Sequence, residues 1–207
     1  MSEYFAAFLD LRGRRCLVVG GGAIGERKAR DLLECGALVS VVSPMLTPAL
    51  DALVAEGRLG HRARRFRRGD TRGCAVVVAA TGDARVDEAV AADARRRHAL
   101  VNVVDAAAHC DFIVPSVLHR GPLQIAVSTG GRSPALAREI RRRLEPLFSA
   151  DTGRMVEEAG HARIQARATA ATPEARRLAG ERVAARALRA AAPSREMFVP
   201  ERCAMRN

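Results

Sequence analysis

The chain has 207 residues, 48% hydrophobic but only 3% aromatic, so it can bury a core of Ala, Val and Leu as one large domain or as one medium domain with appendages. Its net charge of +11 is almost wholly arginine, because Lys28 is the sole lysine, and such a surface invites polyanions: nucleic acid, anionic lipid or a polycarboxylate. No aromatic residues interleave with the arginines and no nucleic-acid motif is present, which argues against nucleic acid.

In chain order, the first element is Tyr4-Phe5-Ala6-Ala7-Phe8-Leu9-Asp10-Leu11, expected to add an edge segment beside the first strand. Nothing in it has the basic start and long apolar centre of a signal peptide. Cys16-Leu17-Val18-Val19 reads as a buried parallel strand and runs straight into Gly20-x-Gly22-x-x-Gly25. Apolar residues at helical spacing follow, at Ala29, Leu32 and Leu33. Strand, glycine turn and helix in that order form the context a dinucleotide fingerprint needs. In that reading Gly20 makes the sharp turn, Gly22 lets backbone approach a pyrophosphate, and Gly25 lets helix and strand pack closely. Gly20, Gly22, Ala23, Ile24 and Gly25 are therefore the expected phosphate cradle, with free N–H groups and the helix dipole facing the anion.

Gly36 is the expected helix stop, and the second strand covers residues 38–42. Its end should carry an acidic residue for the ribose, but Ser43, Pro44 and Met45 stand there. These three are assigned to the adenosine side. No arginine directly follows to hold a 2′-phosphate, which favours NAD over NADP. A helix is predicted over residues 46–56, started by Thr47-Pro48, then a basic strand over 59–68 and a buried strand over 73–81. Thr81 and Gly82 end that strand where cofactor contacts cluster. A helix over 86–97 and a strand over 100–104, ending at Asp105, complete an alternating pattern. The fold class is α/β, a Rossmann-like doubly wound parallel sheet over residues 1–111 that binds NAD.

The pattern then changes. Residues 112–118 and 123–129 are predicted to form a hairpin about His119-Arg120-Gly121-Pro122. Its edges want a partner, so residues 112–148 are expected to form a hairpin and helix dimerisation module. Ser133 is the expected N-cap of a helix with Pro134 in its first turn. Helix continues to residue 192, with breaks near Pro146 and Thr172-Pro173; residues 149–192 form a C-terminal helical domain and 193–207 a disordered tail. Cys16, Cys35, Cys74, Cys110 and Cys203 are scattered, odd in number and without a CxxC pair, which fits a reducing cytoplasm rather than a disulfide framework or structural zinc. No uninterrupted run of about 18 apolar residues exists to span a membrane.

Four stretches carry a more specific signal: Val18-Val19-Gly20-Gly21-Gly22-Ala23-Ile24-Gly25-Glu26-Arg27-Lys28-Ala29, Val101-Asn102-Val103-Val104-Asp105, Asp111-Phe112-Ile113-Val114-Pro115-Ser116, and Val127-Ser128-Thr129-Gly130-Gly131-Arg132-Ser133-Pro134. In order and spacing the chain resembles the siroheme synthase dehydrogenase/ferrochelatase family, in the form without a methyltransferase domain. The resemblance implies that precorrin-2, a reduced tetrapyrrole with many carboxylates, gives a hydride to NAD⁺ and becomes sirohydrochlorin. It implies further that some members insert Fe²⁺ to make siroheme. It places the catalytic aspartate on Asp105, further cofactor contacts on Asn102 and Val103, and substrate contacts on Ser128, Thr129, Gly130 and Arg138. A homodimer is the expected assembly.

Each assignment has a plainer counterpart. Asp105 stands at the crevice end of a strand, where a carboxylate can accept the proton that accompanies hydride loss, or it caps the short helix that follows. His109 and Cys110 lack a third ligand at metal spacing, so no protein metal site is expected. Ser128 and Thr129 either meet substrate or close a turn onto backbone. Arg138, Arg141, Arg142 and Arg143 are either a solvated face or a set of forks for substrate carboxylates. Two other functions stay open: a non-catalytic NAD(H)-sensing domain, and a basic nucleic-acid-associated protein.

Overall fold

The computed structural model describes residues 4–169 and 172–190. The first unit, Met1–Val114, is built on five parallel strands: β1 (Arg15–Val19), β2 (Leu38–Val42), β3 (Gly60–Arg62), β4 (Val76–Ala79) and β5 (Leu100–Val103). Their order across the sheet is β3-β2-β1-β4-β5. Helices α1 (Ala23–Glu34), α2 (Pro48–Ala55) and α3 (Ala84–Arg96) supply the crossovers.

The strands are near-continuous Val and Leu runs because both faces are covered. On one face Val18, Val41 and Val78 pack with Ala29 of α1 and with Leu50 and Leu53 of α2. On the other, Leu17, Val77 and Val101 pack with Val90, Ala91 and Ala94 of α3. Each fully buried valine contributes about 1.5–3 kcal/mol of burial relative to an exposed one. The register pairs Val19 with both Val42 and Ala79, and Ala79 with Val103, so four strands end level at one edge.

Three expectations for this unit are corrected. Residues 4–11 form no strand, because β1 is already flanked by β2 and β4 and offers no free edge. The basic strand expected over 59–68 shrinks to β3. Asp70 draws the chain after it into a loop, accepting hydrogen bonds from Arg62, from both terminal nitrogens of Arg64 and from the Arg67 backbone N–H. Helix α3 begins earlier than predicted because Asp83 caps it, accepting from the N–H groups of Arg85 and Val86.

The second unit, Pro115–Asn207, opens with an antiparallel hairpin of β6 (Ser116–Arg120) and β7 (Leu123–Val127). Its loop is Gly121-Pro122 alone, so Arg120 faces Leu123 instead of lying in the turn. Gly121 takes φ +56°, as a tight hairpin turn of this length requires, and a Cβ on it would crowd the Gly153 Cα at 3.2 Å. Residues 112–115 are not strand. Helix α4 (Pro134–Leu144) starts as expected, with the Ser133 hydroxyl accepting from Leu136 N–H at 3.2 Å. Pro146 falls in a short 3₁₀ turn, and Thr172 ahead of Pro173 starts α6 (Pro173–Ala190) after α5 (Asp151–Thr169). The tail expected over 193–207 lies outside the described residues.

Candidate active site

The site is assembled at the level edge where β1, β2, β4 and β5 end. The strand order reverses between β1 and β4, and a ligand crevice belongs at that point. Gly20 leaves β1 at φ +115°, its N–H on the Val42 carbonyl at 3.0 Å. A Cβ there would sit 2.2 Å from the Ala80 carbonyl oxygen, so this turn accepts only glycine. A Cβ on Gly25 would lie 2.1 Å from the Gly20 carbonyl oxygen, so only glycine lets α1 pack this close to the turn.

Gly22 differs. Its backbone is extended, at φ −80° and ψ −176°, and a Cβ on it would meet nothing within 4 Å. It is the N-cap of α1 without a capping side chain, and the first intrahelical bond is Glu26 N–H to the Gly22 carbonyl. The N–H groups of Ala23, Ile24 and Gly25 therefore have no intrahelical partner. An open surface over glycine, uncapped N–H groups and a helix dipole together fit a dinucleotide pyrophosphate. Ala23 and Ile24 are exposed, as that role needs.

Gly21, which is not one of the fingerprint positions, is as constrained as its neighbours. It is buried, and a Cβ would strike the Met45 carbonyl oxygen at 2.2 Å and the Ser43 hydroxyl at 2.9 Å. Thr47 N–H also bonds the Gly21 carbonyl, and the Thr47 hydroxyl donates to Glu26 at 2.7 Å. The loop carrying Ser43, Pro44 and Met45 is thus latched onto the glycine turn. Ser43 is buried beneath it, whereas Pro44 and Met45 are exposed.

Across the switch point, Thr81 donates its hydroxyl and its N–H to the buried Asp87 at 2.7 and 3.2 Å. That lock fixes the Thr81-Gly82 turn, where Gly82 takes φ +76° with open space above it. In the sequence Asp87 is marked only as an aspartate in the first turn of α3. On β5, Asn102 uses Nδ2 to hold the Phe112 carbonyl at 3.0 Å. Val103 is buried and engages the Cys110 thiol through both backbone groups.

Asp105 stands just beyond β5 at φ +57°, an unusual conformation for a residue other than glycine. It is exposed, and its carboxylate has no hydrogen-bond or ion-pair partner among the described residues. It caps nothing: the 3₁₀ turn that follows, Ala107–His109, has Ala106 at its start and no side-chain cap. Its loop is held from below. The Cys110 thiol lies 3.1 Å from Val103 N, 3.2 Å from the Val103 carbonyl and 3.4 Å from the Ala106 carbonyl. Asp111 accepts from Val101 N–H and pairs with Arg95 at 3.0 Å. Cys110 is thus turned to backbone, and no group of three or more His, Cys, Asp or Glu suited to a metal occurs among the described residues.

In the second unit, Thr129 closes a turn, its hydroxyl accepting from Ser133 N–H and donating to the Ser133 carbonyl. The Ser128 hydroxyl accepts from Gly130 N–H at 3.1 Å, which leaves its own proton to give. On α4, Arg141 pairs with Glu145, and both Arg142 and Arg143 pair with Glu139. Arg138 alone of this run is exposed without such a partner.

Comparison with known proteins agrees with this architecture. Residues 7–116 match the family model described as "Putative NAD(P)-binding", and residues 120–146 match that of the sirohaem biosynthesis protein central region. The siroheme synthase of Methylobacillus flagellatus is 46% identical over 181 residues, which is 87% of this chain and 39% of that protein. The siroheme synthase of Chromobacterium violaceum is 50% identical over 153 residues, 74% of this chain and 33% of that protein. The chain thus spans well under half the length of these relatives. A solved structure titled SirC, precorrin-2 dehydrogenase, shares the fold with a TM-score of 0.72 at 23% identity, covering 90% of this chain and 100% of that one.

Proposed function

We propose that this chain, which belongs to the family described as putative NAD(P)-binding and carries the sirohaem biosynthesis central region, oxidises precorrin-2 to sirohydrochlorin with NAD⁺. The observation that carries the reading is the unpartnered Asp105 carboxylate, held beyond β5 on the sheet edge that bears the glycine cradle.

Gly22, Ala23, Ile24 and Gly25 would hold the pyrophosphate through backbone N–H groups, with Pro44 and Met45 beside the adenosine and Thr81-Gly82 across the switch point. Bound there, NAD⁺ supplies the hydride acceptor. Asp105 is the catalytic residue: its carboxylate takes the proton that must leave as the macrocycle loses a hydride, so the substrate loses two hydrogens in all. With no cation paired to it, the carboxylate is not occupied elsewhere. Cys110 and Asp111 fix the loop that presents it. Arg138 and Ser128 are assigned to the substrate's carboxylates, because a guanidinium fork pairs with carboxylate bidentately.

The rest of the reading is proposed with it. The hairpin and α4 build a homodimer, since a two-stranded hairpin is marginal by itself and α4 exposes Leu136 and Ile140. Fe²⁺ or Co²⁺, where inserted, is a substrate that the macrocycle holds. The proposed compartment is the cytoplasm, which the free thiols of Cys16, Cys35, Cys74 and Cys110 support. Incubation with precorrin-2 and NAD⁺ tests the proposal. NADH and the sirohydrochlorin absorbance should rise together, and NAD⁺ binding without either would favour the sensing domain.

A further inference from the structure

The crossover from β3 to β4, residues 63–75, contains no helix. Elsewhere in the first unit a helix joins each strand to the next. Leu38 and Ser40 alternate along β2 with Val39 and Val41, which pack against the α1 and α2 layer, so they point to the opposite face. There, without a crossover helix, Leu38 is 59% exposed. A cavity of about 520 Å³ opens at this place, from Arg15 and Leu38 at the amino ends of β1 and β2, past Ser40 and Gly60, to Arg62. That volume lies within the range of small-molecule sites.

The cavity combines two chemistries. Leu17, Leu38 and Leu59 give it apolar wall, while Arg15, Arg58, Arg62 and Arg72 stand around it. Asp70 is the one carboxylate of the lining, and it is already neutralised: Arg62 and Arg64 hold it at 2.9 and 2.7 Å. That pairing also fixes the Arg62 guanidinium in place. Arg15 and Arg72 have no acidic partner among the described residues, so their forks remain available. We propose that this cavity is a binding site for a small organic anion, an apolar body bearing carboxylate or phosphate groups, distinct from the dinucleotide site.

The cavity runs along β2 and β3: its Arg62 end is level with Val42 and Val19, whereas its available forks, Arg15 and Arg72, stand at the amino end of β1 and just before β4. Arg15 opens β1 and Val19 closes it at the glycine turn, a separation of roughly 13 Å at strand rise. A ligand held by Arg15 and Arg72 therefore sits at the end of β1 away from the glycine cradle. Bidentate guanidinium pairing fits carboxylate and phosphate alike, and the exposed Leu38 adds preference for an anion with a hydrocarbon body.

The test is calorimetric titration of the full chain with benzene-1,3,5-tricarboxylate, citrate and inorganic pyrophosphate at fixed ionic strength. One saturable site per chain is expected for the aromatic tricarboxylate, tighter than for citrate. The pyrophosphate arm, run on Gly22→Val so that the glycine cradle is closed, identifies which head group the forks prefer, and the Gly22→Val comparison with wild type is made with the tricarboxylate. The Arg15→Ala/Arg72→Ala double variant should weaken binding at least about tenfold. Leu38→Asp, a change at an exposed position that puts a negative charge on the wall, should weaken it similarly. Gly22→Val and the control pair Arg85→Ala/Arg143→Ala should leave it unchanged. Loss of equal size in the control pair, loss in Gly22→Val, or no saturable binding at millimolar probe would each overturn the site. Thermal melts of every variant separate lost binding from lost fold.

Discussion

Replacing Gly22 by valine separates binding from folding. The residue is exposed, its φ and ψ are those of extended chain, and a new Cβ has nothing within 4 Å. Folding stability should therefore change by no more than about 0.5 kcal/mol, the usual range for an unencumbered surface site. The same side chain stands over the free N–H groups at the start of α1. Charge-assisted hydrogen bonds contribute about 1.5–3 kcal/mol each, so displacing two of them weakens NAD⁺ binding by roughly 3–6 kcal/mol, or on the order of 10²–10⁴ in Kd. Gly25→Ala should behave in the opposite way. Its Cβ would lie 2.1 Å from the Gly20 carbonyl oxygen, so α1 must shift, and overpacking of this kind costs about 1–3 kcal/mol. Thermal unfolding and NADH fluorescence titration of both variants give the two readouts. A folded Gly22→Val protein with wild-type affinity would refute the cradle, whatever Gly25→Ala does.

Other outcomes follow from individual contacts. The Arg64 guanidinium, hydrogen-bonded to the Asp70 carboxyl, holds it down at about 2, against 3.8 ordinarily. Its folded pKa is depressed, so its stabilisation is complete above pH 3.8 and lost as pH falls toward 2, on the order of 2 kcal/mol. Urea midpoints across that window should converge for wild type and Asp70→Asn at the acid end, and a constant difference would contradict the assignment. Cys110→Ala removes the thiol from the Val103 and Ala106 backbone, at a cost of about 1–2 kcal/mol, and should raise hydrogen exchange at residues 103–106. Unchanged exchange there would mean that the thiol holds nothing. Sedimentation at micromolar concentration should find a dimer, and a monomer would remove the hairpin and α4 from any interface.

The strands were legible because apolar runs of four or five residues punctuated by Gly and Pro leave little choice, and the helix starts because Thr47-Pro48 and Ser133-Pro134 state their own caps. What could not be read depended on distant partners. Nothing near residues 4–11 says that both neighbours of β1 are already taken. Nothing near residue 63 says that Asp70 will gather Arg62 and Arg64 and end β3 early. Within the site, the glycine fingerprint gave the cradle but not Gly21, whose constraint comes from the Met45 carbonyl of another loop. Asp105 was legible as a strand-end carboxylate. That it is unpaired and caps no helix follows only from the turn behind it, where Cys110 and Asp111 face backbone.

The central claim is that Asp105 accepts a proton during dehydrogenation and takes no part in holding the cofactor. Turnover of precorrin-2 with NAD⁺ by Asp105→Asn, measured beside NAD⁺ affinity, tests it most directly. The substitution keeps the size and the hydrogen-bonding shape and removes the base. Loss of a general base costs about 10²–10⁴ in rate, on the order of 3–5 kcal/mol of barrier. The account predicts that fall in kcat with NAD⁺ affinity nearly unchanged. Turnover within a few-fold of wild type, in a folded variant that binds NAD⁺, would contradict it.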